Sequence, residues 1–395
     1  MRVLVAGLGE KKEFGLRSLR DAGHFVGVID LAHRIPVSLV DWWRAGDRFS
    51  VESMLAAARS ADFTWDAVVC WEELSTDLAR EVAERLGVPA TRMPAGHFRH
   101  KGVMHARLRE LGVPTPQLGV AHTLAECADL IDGRYPAVVK PTDYGGSGGV
   151  RIVRGPEELP EAFAFALEAA RGGQVAVDRY VSGKEFSVES VTWAPGKTEV
   201  ITVTEKHLSR PPYFAELGHV VPAVLPQAER EELERAVVQV LDALGMEAGV
   251  SHAEFRLTPE GPLLMEVAGR PAGDQVPRLV SLATGWNLYL AELAAVVGST
   301  VSPEVPAAQS AAIRFFNGDG RTPFRHPVGL DDSLAAPFAG VLRELSYSEP
   351  EGAVTDAPRG IGGRNGHAVL AGSADEVREA LRVLDDGRPI YQGAE

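Results

Sequence analysis

A hairpin that carries one glutamate in each strand constrains this chain more than any other feature. Two apolar-alternating strands, 251–257 and 263–270, flank a turn that contains proline and glycine. A turn centred on Glu260 places Glu254 directly opposite Glu266. Two facing carboxylates repel each other unless a cation lies between them, and Mg²⁺ prefers carboxylate oxygens together with nucleotide phosphates. The hairpin therefore predicts a metal site with Glu254 and Glu266 as ligands.

Side-chain alternation predicts which residues of the hairpin surround this site. Successive side chains of a strand point to opposite faces, so one face is shared by His252, Glu254 and Arg256, and one face of the second strand by Leu264, Glu266 and Ala268. Two alternatives remain open. Either Glu254 pairs with Arg256 or Arg270 instead of a metal, or the register is shifted by two residues.

A glycine-rich segment predicts a phosphate-binding loop. Residues 143–149 contain four glycines and a serine between predicted strands at 135–141 and 150–153. Glycine lets backbone N–H groups turn toward one point and lets a ligand approach closely. Lys140, at the end of the first strand, can supply a cation to an α- or β-phosphate. No Gly-Lys-Ser/Thr follows, so this is not a Walker loop; the alternative is a flexible surface hairpin.

Two weaker patterns are those expected of a site that binds a nucleotide. Backbone groups near Tyr180 and Val181 could pair with an adenine edge, Asp178 could accept from its amino group, and Glu185 could accept from ribose hydroxyls. Lys101, at the start of a predicted helix, adds a second phosphate contact if that helix start reaches the glycine loop. The alternatives are an ordinary solvated glutamate and a solvated basic helix face.

The first 95 residues alternate between strands and helices. Apolar runs at 3–6, 25–30 and 67–70 alternate with helical patterns at 13–22 and 76–86, which predicts a parallel sheet covered by helices. The Gly7-Leu8-Gly9 segment lacks the third glycine of a dinucleotide fingerprint, because Lys12 stands there. We therefore expect a tight turn, with anion binding at the next helix N-terminus as the alternative.

Composition excludes several classes of protein. With 40 Lys+Arg against 54 Asp+Glu the net charge is −14, which argues against a general nucleic-acid binder. The two cysteines, Cys70 and Cys127, cannot form a disulfide framework or a cysteine metal site. The longest apolar run, 288–298, contains Glu292 and is too short to span a membrane. We expect a cytoplasmic protein with no nucleic-acid or membrane partner.

Along the chain the motifs run from Lys101 to Lys140 with the glycine loop, then to Asp178 and Glu185, and last to Glu254, Glu266 and Arg270. This order resembles that of the ATP-grasp superfamily over residues 1 to about 300. The resemblance implies a multidomain chain of α/β and α+β class, with a Rossmann-like N-terminal domain before a two-lobed ATP-grasp core. The implied divisions are the Rossmann-like domain (1–98), the small lobe with the glycine loop (99–176), the large lobe with the metal hairpin (177–305) and a small α+β C-terminal domain (306–395).

The resemblance also implies the cofactors, ATP and Mg²⁺ with Mn²⁺ able to substitute, and a role for each site residue. The ATP phosphates are implied to contact Lys101, Lys140 and the mobile loop of Gly145, Gly146, Ser147, Gly148 and Gly149. Adenosine is implied to contact Asp178, Tyr180, Val181 and Glu185. The implied metal ligands are Glu254 and Glu266, and Arg270 is implied to contact the transferred phosphoryl group and the acyl phosphate. Many members read Glu-x-Asn-x-Arg, whereas this chain has Ala268 in place of the asparagine. A second metal ion would therefore need other ligands.

Within the superfamily the chain looks most like the L-amino-acid ligase and carnosine-synthase-like branch, on segments 204–223, 270–274 and 364–367. That branch implies an ATP-dependent carboxylate–amine ligase for amino-acid-like substrates, with an acyl-phosphate intermediate and release of ADP and phosphate. Catalytic roles then fall to Arg270, Lys140 and Glu216, the last meeting the substrate amine; the alternative places Glu216 and His219 in a polar loop. By analogy alone the protein is a homodimer. The competing functions are acyl transfer to a carrier protein or protein amine, and a non-catalytic ATP sensor.

Overall fold

The computed structural model describes residues 1–326, 338–360 and 363–385, and within them the chain forms sixteen strands and ten α-helices. The strands are β1 Arg2–Ala6, β2 Phe25–Asp30, β3 Trp42–Ala45, β4 Ala67–Val69, β5 Gln117–Ala121, β6 Ala137–Pro141, β7 Arg151–Val153, β8 Val175–Arg179, β9 Lys184–Ala194, β10 Lys197–Leu208, β11 Glu216–Val221, β12 Gly249–Thr258, β13 Gly261–Ala268, β14 Ser310–Asn317, β15 Leu342–Tyr347 and β16 Arg364–Gly372. The helices are α1 Glu13–Asp21, α2 Val51–Arg59, α3 Thr76–Leu86, α4 Lys101–Glu110, α5 Leu124–Ile131, α6 Leu159–Ala169, α7 Gln227–Leu244, α8 Val276–Thr284, α9 Leu288–Val296 and α10 Ala374–Asp385.

The N-terminal segment forms a four-stranded parallel sheet in the order β3-β2-β1-β4. The predicted strands β1, β2 and β4 and the helices α1 and α3 are confirmed, with α3 ending at the left-handed Gly87. The sequence patterns did not indicate β3 or α2. Strand β3 lies at the sheet edge and three of its four residues are exposed, so it has no buried apolar run to mark it.

A second, antiparallel sheet has the order β5-β8-β6-β7. Helices α5 and α6 pack on it through a buried cluster that includes Cys127, Val139 and Phe163. Its strand β8 runs from Val175 to Arg179. The proposed division between residues 176 and 177 therefore falls inside a strand of this sheet.

The third sheet has eight strands in the order β13-β12-β9-β10-β11-β14-β16-β15. Strand β14 pairs antiparallel with β11, for example through Val220 and Ala312. The C-terminal strands thus continue the sheet that carries the glutamate hairpin, β12–β13. The proposed domain boundary at residue 306 remains a prediction, and part of the C-terminal segment lies outside the described residues.

Helix α9 connects the N-terminal sheet to the large sheet. Its Tyr289, Leu293 and Val296 pack into the N-terminal core, while its Leu288 and Ala291 pack into the core of the large sheet. Burial on both sides explains why the helix is apolar nearly all round. No helix within the described ranges is by itself long and apolar enough to cross a membrane; α8 and α9 reach that length and composition only together, across a 98° bend.

Candidate active site

A cavity of about 620 Å³ lies where the three sheets meet, and most of the predicted site residues line it. Those residues are Lys101, Lys140, Gly145, Gly146, Ser147, Asp178, Val181, Glu185, Glu216, Glu254, Glu266 and Arg270. Tyr180, Gly148 and Gly149 are not part of the lining. A Cβ at Gly149 would stand 2.8 Å from the Ala169 methyl group, so this glycine is required for packing on α6.

The hairpin places Glu254 opposite Glu266, as predicted. The turn is not centred on Glu260, however, because Thr258 pairs with Gly261 and leaves a two-residue turn. A bulge after the Glu254–Glu266 pair restores the facing glutamates. The predicted face of Leu264 is therefore wrong: this side chain is buried in the large core, and Met265 lines the cavity instead.

Lys101 connects the start of α4 to both the glycine loop and the hairpin. Its N–H donates to Thr142 O at 2.8 Å, and its Nζ donates to Tyr144 O at 2.7 Å. The Nζ also lies 2.9 Å from Glu266 Oε1. The helix start therefore reaches the loop, which was the condition for Lys101 to contact phosphate.

Glu266 is the less neutralised of the two glutamates. Burial, together with the carboxylates of Glu73 and Glu254, raises the pKa of Glu266 to about 7, although Lys101 opposes the shift. Burial alone would lower the pKa of Lys101, but Glu266 and Glu73 outweigh it and raise that pKa. Two facing carboxylates in one cavity are a donor set that suits Mg²⁺. Ala268 also lines the cavity but offers no side-chain oxygen.

Lys206 lies at the centre of the acidic residues, and no sequence pattern indicated a role for it. Its Nζ lies 2.5 Å from Glu254, 2.9 Å from Glu216 and 3.0 Å from Glu185. Burial would lower the pKa of Lys206, but the three carboxylates raise it well above its usual value. Lys206 therefore holds three predicted site residues together from strand β10.

His252 supports Glu254 from the same strand. Its Nε2 lies 3.2 Å from Glu254 Oε1 and its Nδ1 2.9 Å from Glu189 Oε1. Burial lowers the pKa of this imidazole, but the carboxylates of Glu189 and Glu254 outweigh burial and raise it to about 10. A charged His252 and Lys206 together hold the pKa of Glu254 well below its usual value, against the effect of burial.

Lys140 and Asp178 form an ion pair on neighbouring strands, with 2.6 Å between Nζ and Oδ2. Asp178 Oδ1 is buried and has no hydrogen-bond partner in the part of the chain that the structure describes. It could therefore accept from an adenine amino group, as predicted. The backbone N–H of Tyr180 donates to Pro136 O, so the predicted pairing of this segment with an adenine edge would fall to its other backbone groups. The Val181 carbonyl is also engaged, since it accepts from Arg256 at 2.6 Å.

Arg270 forms an ion pair with Glu73, which the sequence did not indicate because 197 residues separate them. Burial would raise the pKa of Glu73, but Arg270 and Lys101 outweigh it and lower that pKa to about 2. Arg270 also donates to Pro271 O at 2.8 Å. This pairing fixes the guanidinium at the wall of the cavity, next to the N-terminal segment.

Glu216 lies on strand β11, so the alternative that placed it and His219 in a polar loop is wrong. Beside it, Arg364 of β16 donates to both oxygens of Asp274 at 2.6 and 2.7 Å. Burial raises the pKa of Glu216, against the effect of Lys206. This part of the cavity therefore combines two carboxylates and a guanidinium, a set that can bind an amino acid by its ammonium and carboxylate groups.

The turn after β1 is the tight turn that the sequence predicted. Asp30, fully buried at the end of β2, accepts from the N–H groups of Leu8 at 2.8 Å and Gly9 at 3.2 Å. Those N–H groups are therefore not free to bind a phosphate. Gly7 and Gly9 both have positive φ, which allows this turn.

Comparisons with known proteins show which family this chain resembles. Residues 133–278 match the model of the ATP-grasp domain. The D-alanine–D-alanine ligase of Synechococcus sp. is 30% identical over 267 residues, which cover 65% of this chain and 76% of that one. An uncharacterised Sinorhizobium fredii protein is 30% identical over 257 residues, or 64% of this chain. The chain spans only 52% of the length of that relative, and 19% of the carbamoyl phosphate synthase large chain of Archaeoglobus fulgidus.

Solved structures share the fold along nearly the whole chain. The L-amino acid ligase from Bacillus licheniformis has a TM-score of 0.82 at 22% identity and covers 100% of this chain and 99% of its own. The carboxyaminoimidazole ribonucleotide synthase from Aspergillus clavatus, complexed with ATP, has a TM-score of 0.75 at 18% identity, over 98% and 99% of the two chains. This chain belongs to the ATP-grasp superfamily.

Proposed function

We propose that this protein is an ATP-dependent carboxylate–amine ligase that joins two amino-acid-like substrates through an amide bond and releases ADP and phosphate. One observation carries the proposal: a single cavity contains the facing carboxylates of Glu254 and Glu266, two lysines, and Arg270. The similarity to a D-alanine–D-alanine ligase and to the fold of an L-amino acid ligase supports it.

ATP binds in the part of the cavity between the small antiparallel sheet and the hairpin. Asp178 Oδ1 accepts from the adenine amino group and Glu185 from the ribose. Lys101, Lys140 and the loop Gly145–Ser147 contact the phosphates. Glu254 and Glu266 would hold Mg²⁺, or Mn²⁺ in its place, and the ion would supply positive charge to the phosphate oxygens.

The reaction follows from this placement. The substrate carboxylate attacks the γ-phosphorus, the bond to ADP breaks, and an acyl phosphate forms. Lys140 and Arg270 stabilise the charge that develops on the transferred phosphoryl oxygens. The amine then attacks the acyl carbon and phosphate leaves. Glu216, whose pKa is raised by burial, accepts the proton that the amine loses.

Water exclusion matters because an acyl phosphate hydrolyses. The glycine loop lies over the cavity, and Gly145 approaches Glu73 so closely that a Cβ there would stand 3.2 Å from the carboxylate oxygen. Closure of this loop would separate the intermediate from solvent. By analogy with related enzymes we further propose a homodimer, which sedimentation of the purified protein would test.

ATP consumption with pairs of amino acids tests the function. ADP, AMP and phosphate are measured separately, and products are scanned by mass. We expect ADP and phosphate only with particular pairs, and a product mass equal to the sum of the pair less one water. AMP and pyrophosphate would contradict the acyl-phosphate route. ADP binding without turnover for any acid, amine or carrier protein would support an ATP sensor instead.

A further inference from the structure

The cavity has an arm in the N-terminal segment that the proposed reaction does not use. Residues 9–12, Arg34 and Arg48 line this end of the cavity. An adjoining pocket of about 300 Å³ shares residues 9–12 and Arg34 and continues to Glu13 and His33. We call this region the N-terminal arm. Its cations are Lys11, Lys12, Arg34 and Arg48, and the carboxylates beside them in the main cavity are those of Glu10 and Glu72.

The carboxylates of the arm do not satisfy its guanidinium groups. In the part of the chain that the structure describes, the guanidinium of Arg34 pairs with one carboxylate, that of Glu10, at 3.0 Å. Arg48 Nη1 lies 3.7 Å from Glu72, which is too long for a hydrogen bond. The other oxygen of Glu72 accepts from Ser75 Oγ at 2.8 Å. Glu72 is therefore held toward α3 and does not close on Arg48.

Arg48 is the strongest sign of a missing ligand. It is 7% exposed, and its Nε and Nη1 have no hydrogen-bond partner among residues 1–326, 338–360 and 363–385. Its guanidinium carbon lies 4.7 Å from the centre of the Phe49 ring. Buried N–H donors without acceptors reduce stability, and a guanidinium binds carboxylate and phosphate through paired N–H groups.

Lys12 connects the arm to the reacting end of the cavity. Its Nζ donates to Ala272 O at 2.7 Å, two residues beyond Arg270. Burial and the charge of Arg270 lower the pKa of Lys12 to about 7, although the carboxylates of Asp274 and Glu292 act in the opposite direction. An anion bound beside Lys12 would favour its charged form. Helix α1 begins directly after Lys12 without a side-chain cap, and the positive end of a helix adds to the attraction for an anion.

We propose that the N-terminal arm binds an anionic group of the acid substrate other than the carboxyl group that is activated. This rests on the proposed function, and it names the substrate class. An acid whose reacting carboxyl lies at Arg270 and whose second anion reaches Lys12, Arg34 and Arg48 is either a dicarboxylic acid or a phosphorylated acid.

Binding measured without turnover tests the arm. Isothermal titration of succinate, inorganic phosphate and butyrate is carried out with the full chain saturated with a non-hydrolysable ATP analogue and Mg²⁺, which together occupy the α-, β- and γ-phosphate sites. We expect succinate or phosphate to bind at least tenfold more tightly than butyrate. Arg48→Gln should weaken that binding by roughly ten- to a hundredfold. Arg44→Gln, an exposed arginine four residues away, is the matched control and should bind like the wild type.

The two anions distinguish the two substrate classes. Tighter binding of succinate indicates a dicarboxylic acid, and tighter binding of phosphate indicates a phosphorylated one. Arg34→Gln provides a second test in case Arg48→Gln does not fold. Equal affinity for succinate, phosphate and butyrate, or unchanged anion binding in both folded arginine variants, would overturn the proposal.

ADP binding in the same proteins separates this proposal from the proposed function. An Arg48→Gln variant that loses anion binding but keeps ADP binding is folded and supports the arm. A wild type that binds succinate but not ADP would contradict the ligase while leaving the anion site intact.

Discussion

The two facing glutamates differ in how their charge is balanced. Glu254 lies within 2.5 Å of Lys206 and 3.2 Å of His252, and its pKa is held well below the usual value against the effect of burial. Glu266 has the Nζ of Lys101 at 2.9 Å, yet burial raises its pKa to about 7. Glu266 therefore gains more from a divalent cation, and its removal should be the most direct test of the metal site.

Replacing Glu266 by alanine should abolish Mg²⁺-ATP turnover without unfolding the chain. Because the variant lacks one of two proposed metal ligands, we expect a loss on the order of a hundredfold or more, measured as ADP release. Glu260→Gln, in the exposed turn of the same hairpin, is the control and should keep wild-type activity. Near-normal turnover of Glu266→Ala would contradict the metal assignment.

The same carboxyl group predicts a pH dependence of stability. Its pKa is about 7 in the folded protein against an ordinary 4.5, so the folded state binds more protons and loses stability as pH rises from about 4.5 to 7. Glu266→Gln lacks this loss. Without nucleotide, the free energy of unfolding of the variant should increase, relative to that of the wild type, by on the order of 1–3 kcal/mol between pH 5 and pH 8. The melting temperature of the variant should rise relative to that of the wild type over the same range. Parallel melting profiles would contradict the assigned pKa.

Lys140→Ala should weaken ATP use sharply. Its Nζ lies 2.6 Å from Asp178, the proposed adenine acceptor, and is a proposed contact of the ATP phosphates. Because the variant lacks this cation, we expect the KM for ATP to rise about tenfold or more. The buried Asp178 also loses its partner, which should lower the melting temperature; the assay is therefore run well below it. Lys184→Ala, exposed at the start of β9, is the control. An unchanged KM for ATP would remove Lys140 from the phosphate site.

At the level of elements, sequence patterns predicted the glutamate hairpin but not its bulge. Alternation of side chains identifies a strand and its inward face. A single inserted residue leaves that pattern readable on both sides, so the shift from Leu264 to Met265 on the cavity face could not be seen. The pairing of Glu254 with Glu266 was nevertheless correct, because the two-residue turn and the bulge offset each other.

Ion pairs between elements were beyond the reach of local patterns. Lys206 meets Glu254 across 48 residues and Arg270 meets Glu73 across 197. Nothing in the spacing of such residues indicates contact, because the sheet order that joins them is a property of the whole fold. Lysine and glutamate are also usually exposed, so their burial around a cavity became visible only in three dimensions.

Asp30 is the residue that shapes the β1–α1 turn, and its side chain can be tested as a structural element. It accepts from the N–H groups of Leu8, Gly9 and, at 2.6 Å, Leu31. Asp30→Ala should cost about 2 kcal/mol or more, because buried N–H donors lose their acceptor. The melting temperature measures this, with Asp21→Ala at the exposed end of α1 as control. Equal melting of the two variants would show that the turn holds without Asp30.

At the scale of the whole molecule, segments that are distant in the sequence together form the cavity, because the eight-stranded sheet and α9 bring them together. Helix α9 contributes to both the N-terminal core and the large core, and its buried Glu292 accepts from Trp71 at 2.8 Å. Arg364, on the C-terminal strand β16, reaches Asp274 beside the cavity. The site should therefore depend on segments that the family resemblance assigned to separate domains.

A chain ending at residue 305 tests this dependence. Truncation there removes β14 and exposes the edge of β11, which pairs with it from Gly218 to Val221. It also uncovers the apolar cluster in which Ile313 and Phe315 pack with α8. Exposed strand edges and apolar surface lead to aggregation. We expect the truncated chain to aggregate on expression, and the full-length protein to melt without a separate C-terminal transition in calorimetry. A truncated chain that stays monodisperse and binds ADP with wild-type affinity would instead show that residues 306–395 form an independent domain, and that the cavity needs only the three segments before them.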